Sequence, residues 1–298
     1  MTAIRSRTFG LSLLAAAACA LAGGCSTVPT AEIKVFRESV VSANTAATPV
    51  LDELSATERK LKRRTAARQP EPVFVPGDAG YYADIGDAPA TANLRAGHKV
   101  LDRYSDVLLS LATGANVQGD VAEVENLAAE TTSLLNALAP VIPPAAAAGT
   151  FIEGASVVGK PGLKLVFDEL SRKEARRFIE VSVQKNVVKV LTDAMIASTP
   201  EMFDVLIRDA ERATTNMRVS REAQTEAGKA YIDRRERVRL VLSNYVVMLQ
   251  RVNGAWNEAA RAASTNQSMS VTVLSDRIVE LRTAVVETRK AYADLNTR

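Results

Sequence analysis

Apolar side chains in this chain fall every seven residues, in two interleaved rows. Ile33, Val40, Ala47, Leu54 and Leu61 make one row of the first such stretch; Phe36, Ala43 and Val50 make the other. A helix carrying such a stripe must lay it against partner helices. The spacing returns at Leu94, Leu101 and Leu108, with Tyr104 and Leu111 beside them, and at Val271, Leu274, Ile278, Leu281, Val285, Tyr292 and Leu295. Strand-type alternation of useful length is missing. Aromatics make up 5% of the chain and alanine is abundant, which suits thin helices better than sheets. The expected fold is all-α, an elongated antiparallel helical bundle with coiled-coil-like heptad packing.

The first helix is expected over 31–68, capped by Thr30 and bent at Pro49, whose ring displaces the carbonyl one turn back. Residues 69–91 read as a Pro/Gly-rich loop, with Val73, Phe74, Val75, Tyr81 and Tyr82 exposed unless they pack down. A loop this long is a candidate contact element. A second helix spans 92–113, stopped by Gly114. A third opens on the capping pair Asp120 and Glu123, runs to Pro140, and turns Val124, Leu127, Thr131, Leu134 and Leu138 inward. Ser171 and Glu174 cap another, to 197. Thr199 and Pro200 then open the longest stretch, 201–263, a rod of roughly 90 Å. Its rows run from Phe203 to Ala259 and from Leu206 to Ala255. Polar Ser220, Gln224 and Arg234 in those rows predict a break or a wet seam near 218–234. The last helix is expected over 270–295.

Residues 140–167 stand apart. Prolines at 140, 143, 144 and 161 frame an alanine run and Ile152, Val157 and Val158, and the only charges are Glu153, Lys160 and Lys164. The segment reads as an apolar connector buried between helices. The alternative is insertion into a membrane through Ile152, Val157 and Val158. In layout alone this is similar to the helical pore-forming toxins of the cytolysin type, which join long helices through an apolar hairpin; no residue of theirs carries over.

The formal net charge is +3; leaving out Arg5 and Arg7, with no acid before Cys25, brings it to +1. Bulk nucleic-acid binding is therefore not expected. The cations gather in three clusters: Arg59, Lys60, Lys62, Arg63, Arg64 and Arg68; Arg172, Lys173, Arg176 and Arg177; and Arg234, Arg235, Arg237 and Arg239. The first suits the carbonyl end of a helix, where Glu123, Glu125 and Glu130 are candidate partners. Its functional reading is contact with an anionic partner, a lipid headgroup or cell-wall polymer. No HExxH, GxSxG, phosphate loop, dinucleotide fingerprint or calcium loop is present. Asp84 and Asp87 read as turn residues. The single histidine, His98, reads as a surface or boundary residue of a helix. No catalytic residue, metal ligand or cofactor is expected.

Arg5 and Arg7 precede an apolar run from about Phe9 to Ala22, and Leu21-Ala22-Gly23-Gly24-Cys25 follows, with Ser26 next. The run has the length of a secretory core and is too short to span a bilayer. The segment resembles the lipobox of a bacterial lipoprotein signal peptide. Ala22 stands where that pattern favours leucine, and Cys19 is a second candidate. The resemblance implies a signal peptide over 1–24, cleavage before Cys25, and acylation of its sulfur and new amine. A multiply acylated cysteine holds a protein on a bilayer durably. Ser26, not aspartate, points to the outer membrane, on its periplasmic face. Residues 25–298 would then form a periplasmic helical domain whose basic end lies about 50–60 Å from the anchor. The expected function is a non-catalytic adaptor or scaffold of the cell envelope. Another envelope protein or peptidoglycan would be its partner, and the heptads leave self-association open.

Overall fold

The computed structural model describes residues 30–68, 74–83, 85–113, 127, 129–130, 133–134, 180, 183–184, 186–215, 221–265 and 269–296. Among the described residues every regular element is helical and no strand occurs. The fold is all-α. Helix α1 spans Thr30–Ala66. A 3-10 turn at Pro76–Asp78 leads into the single turn α2, Ala79–Tyr82. Then come α3, Pro89–Thr113, α4, Val187–Ala197, α5, Thr199–Thr215, α6, Arg221–Thr265, and α7, Met269–Asn296.

The heptad rows become the core. All eight apolar seam residues of α1, from Ile33 to Leu61, are buried. The helix runs unbroken through Pro49. On α7, Leu274, Ile278, Leu281, Val285 and Leu295 are buried with Tyr292 packed against them. On α6 the rows are buried from Val238 to Ala259 and half-exposed at Ala227, Tyr231 and Arg234. Leu127 and Leu134, expected to face inward, do so. Trp256 of α6 meets Tyr104 of α3 edge to face, with centroids 5.5 Å apart. Gly97 lets α3 approach α4: a Cβ there would sit 2.9 Å from the sulfur of Met195.

Helices α1 and α6 form the centre. Helix α1 packs on α3, α5, α6 and α7, while α6 packs on α1, α3, α4, α5 and α7. Polar pairs give the order along each contact. Arg251 meets Glu280, Asn244 donates to the Glu287 carbonyl, and Arg237 donates to the Asp294 carbonyl. Residue numbers thus rise on α6 as they fall on α7, and the two form a hairpin. Arg37–Asp106 and Asp52–Arg95 set α3 against α1 in the same way.

Three sequence expectations are corrected. The 201–263 stretch is two helices, α5 and α6, so the rod of roughly 90 Å does not exist. Phe203 lies against Arg239, and Leu206 and Ala210 share a groove with Ala230 and Arg234. Helix α5 therefore folds back along α6. The polar positions at the start of the expected seam would not support a continuous apolar stripe. The helix expected over 171–197 is interrupted at Asn186, whose φ of 53° is left-handed; asparagine tolerates that conformation better than most residues. The loop expected over 69–91 contains α2, and its last residues already belong to α3.

Candidate functional site

Arg59, Lys60, Lys62, Arg63 and Arg64 of the first basic cluster lie on the last turns of α1, with Arg68 just beyond it, and residues 74–83 and 85–88 fold over this end. Arg63 donates from Nε to the Tyr81 carbonyl at 2.8 Å and from Nη2 to the Tyr82 carbonyl at 2.9 Å. Arg59 donates to the Gly80 carbonyl at 3.4 Å and to the Gly86 carbonyl. The carbonyls of α2 have almost no intrahelical partners because the helix is one turn long. Two guanidinium groups therefore cap it, with charge of the sign its C-terminus favours. Lys62 pairs with Asp78 at 3.0 Å and stands 5.3 Å from the Tyr81 ring centroid. The Asp78 bond raises the Lys62 pKa. Burial, followed by the Glu58 charge, raises that of Tyr81.

Two further side chains of α1 fix the far end of this segment. Ser55 Oγ accepts the Ala88 N–H at 2.9 Å. The Glu58 carboxylate accepts the N–H groups of Ala90 and Thr91, each at 3.1 Å, and the Thr91 hydroxyl at 2.9 Å. Those are the orphan donors at the start of α3, so a residue of another helix supplies the cap. Pro89 opens the helix where a missing N–H costs nothing. Asp87 is bound by Arg95 at 2.5 Å, and this bond is the main reason the Arg95 pKa is raised.

The clamp holds a tip of large apolar side chains in solvent. Phe74 is 76% exposed and Ile85 89%, with Val75 and Tyr82 exposed beside them. Arg64 and Arg68 are exposed at the end of α1, as is Lys60. Sequence reasoning placed Phe74, Val75 and Tyr82 near the surface but missed Ile85. It also missed Ser55 and Glu58, whose only signal is a polar residue near an apolar seam.

His98 is the larger correction: it is a core residue, not a surface or boundary one. It is 4% exposed. Its Nδ1 lies 2.9 Å from Asn44 Oδ1 and its Nε2 lies 3.0 Å from the Tyr245 hydroxyl. Asn44 Nδ2 donates to the His98 carbonyl at 3.1 Å, so Asn44 Oδ1 is an acceptor. Nδ1 therefore carries the proton and Nε2 accepts from Tyr245. Burial, aided by the Arg95 charge, lowers the His98 pKa to about 3. Burial likewise raises the Tyr245 pKa. The network joins α1, α3 and α6.

The other candidates divide between the described residues and the rest. Arg234 pairs with Glu53 of α1, to whose second oxygen the Tyr292 hydroxyl donates at 3.4 Å. Arg239 bonds Glu236 at 2.7 Å and lies over Phe203, and Arg235 lies 3.6 Å from Glu236. Glu130, a suggested partner of the first cluster, pairs with Arg103. Cys25, Asp84, Glu123, Glu125, the cluster Arg172–Arg177, and Ile152, Val157 and Val158 lie outside the described residues. Among the described residues, no group of three or more His, Cys, Asp or Glu gathers to hold a metal. No helix there is long and apolar enough to cross a membrane. No protein-family model matches the chain, and no curated protein or solved structure matches it.

Proposed function

We propose that this chain is a lipoprotein, anchored through Cys25 to the outer membrane and facing the periplasm, that serves as a non-catalytic adaptor of the cell envelope. Its body is an elongated antiparallel bundle with heptad packing, and its contact element is the tip over residues 74–88. The observation that carries the reading is the clamped tip. Two arginines, a lysine, a serine and a glutamate of α1 hold a short segment whose Phe74, Val75, Tyr82 and Ile85 face water. Such anchors, held rigid beforehand and flanked by arginine, are the residue types that dominate protein interfaces. The enclosed His98, with both ring nitrogens bonded, fits a structural role. The partner is an envelope protein or peptidoglycan.

Photo-crosslinkers placed at Phe74 and Ile85 in intact cells test this. The expected result is capture of one envelope partner from these two positions, and none from Val279 or Val286 on the outer face of α7. Equal capture from all four positions, or none from the tip, would contradict it.

A further inference from the structure

Helix α7 buries one face against the bundle and keeps apolar side chains on the opposite one. Val279 is 60% exposed and Val286 59%. Thr272 and Ala293, also exposed, extend them into a row with a residue every seven positions. The outer face of a bundle helix is ordinarily polar. Of the long described helices, α7 shows the slightest contrast between its faces. Asp276 and Lys290 border the row, and both are exposed. Asp276 reaches Arg277 only through its field, and neither residue is hydrogen-bonded or ion-paired to another described residue. The charges around them are engaged: Arg282 with Ser39, Arg289 with the Ser42 carbonyl, Glu280 with Arg251 and Arg277.

The face is symmetrical about Thr283. Asp276 and Lys290 lie seven residues to either side of it, and Val279 and Val286 lie four and three. We propose that the chain forms a reversible antiparallel dimer through the outer face of α7, around a two-fold axis near Thr283. Such an axis sets Val279 of each copy beside Val286 of the other, and each Asp276 near the other's Lys290. Two ion pairs and one paired apolar row form together. A parallel copy would set like charge against like, so the pattern selects a second copy run in the opposite direction. The strip, 28 residues and about 42 Å long, is at the small end of specific interfaces, and the dimer exchanges with monomer. The face is separate from the tip and from the tether, so each can fail alone. Photo-crosslinkers at Val279 or Val286 would join the chain to itself, not to the partner of the tip.

Cysteine crosslinking of the purified full-length chain tests the proposal, with both native cysteines changed to serine. Under mild oxidation Thr283→Cys is expected to give a disulfide-linked product of twice the chain mass, well in excess of Lys99→Cys on the exposed side of α3. Val279→Cys mixed with Val286→Cys should link faster than either alone. Lys290→Glu turns both ion pairs into repulsions and should weaken the dimer about tenfold in sedimentation equilibrium. Adding Asp276→Lys to it should restore the parent affinity. Should Lys290→Glu fail to fold by circular dichroism, Asp276→Lys alone makes the same test. No product from Thr283→Cys, equal product from Lys99→Cys, fastest linkage of Val279→Cys to itself, or no effect of charge reversal would overturn the proposal. So would linkage of Thr283→Cys in intact cells to a protein of another mass, or binding of the parent to phosphatidylglycerol vesicles that Val286→Asp abolishes.

Discussion

Burial keeps His98 neutral down to about pH 3, against 6.5 for a solvated imidazole. Between those values the unfolded chain binds a proton that the folded chain does not, so this residue makes stability fall as pH falls. Its contribution is fully present above pH 6.5 and is lost at about 1.4 kcal/mol per pH unit below it. Urea unfolding at pH 7, 5.5 and 4.5 should show that decline in the parent and a shallower one in His98→Gln. Parallel pH profiles would contradict the buried, neutral assignment. The position was half legible. His98 lies four residues after Leu94 and three before Leu101, on the face those leucines bury. Its partners Asn44 and Tyr245 are 54 and 147 residues away in sequence, and no local pattern announces them.

At the scale of elements, periodicity located the helices that pack along most of their length, α1, α3 and α7, because one buried stripe specifies each of them. It placed the reversal between α6 and α7, expected between 263 and 270, but did not commit to the one between α5 and α6. Helices α5 and α6 part where the rows become polar, and polarity alone does not separate a wet seam from a corner. The clamp was invisible for another reason: Arg59 and Arg63 bind backbone carbonyls, which every residue possesses. Two expectations follow. Glu58→Ala leaves the first N–H groups of α3 without their cap and should cost about 0.5–2 kcal/mol in urea unfolding, of which Glu58→Gln should recover only part, because its single amide oxygen replaces one of the two accepting carboxylate oxygens. Arg59→Ala with Arg63→Ala should release α2 without unfolding the bundle. Chymotrypsin should then cut after Tyr81 or Tyr82 about tenfold faster or more, the scale set by losing charged hydrogen bonds from a locally opening segment. Unchanged cleavage would show that the clamp does not order the tip.

At the scale of the whole molecule, the proposed adaptor has two working ends joined by α1, whose 37 residues extend about 55 Å. The lipid end was read from the spacing of arginines, apolar run and cysteine, a pattern recognised by enzymes and not by the fold. The tip end was half legible, since the 69–91 loop already read as a contact element with Phe74 exposed; Ile85 and the clamp that holds the segment took the structure to find. Asp at either position is expected to leave urea stability within about 0.5 kcal/mol of the parent, as for surface changes elsewhere, and to abolish capture of the partner. The tether is tested most directly by the intact mass of the N-terminal peptide from protein extracted from its native membrane. The account predicts a chain that begins at Cys25 with acylated sulfur and amine, and a Cys25→Ser variant that carries no lipid. An unmodified Cys25 thiol, or a mature protein that retains residues 1–24, would contradict it.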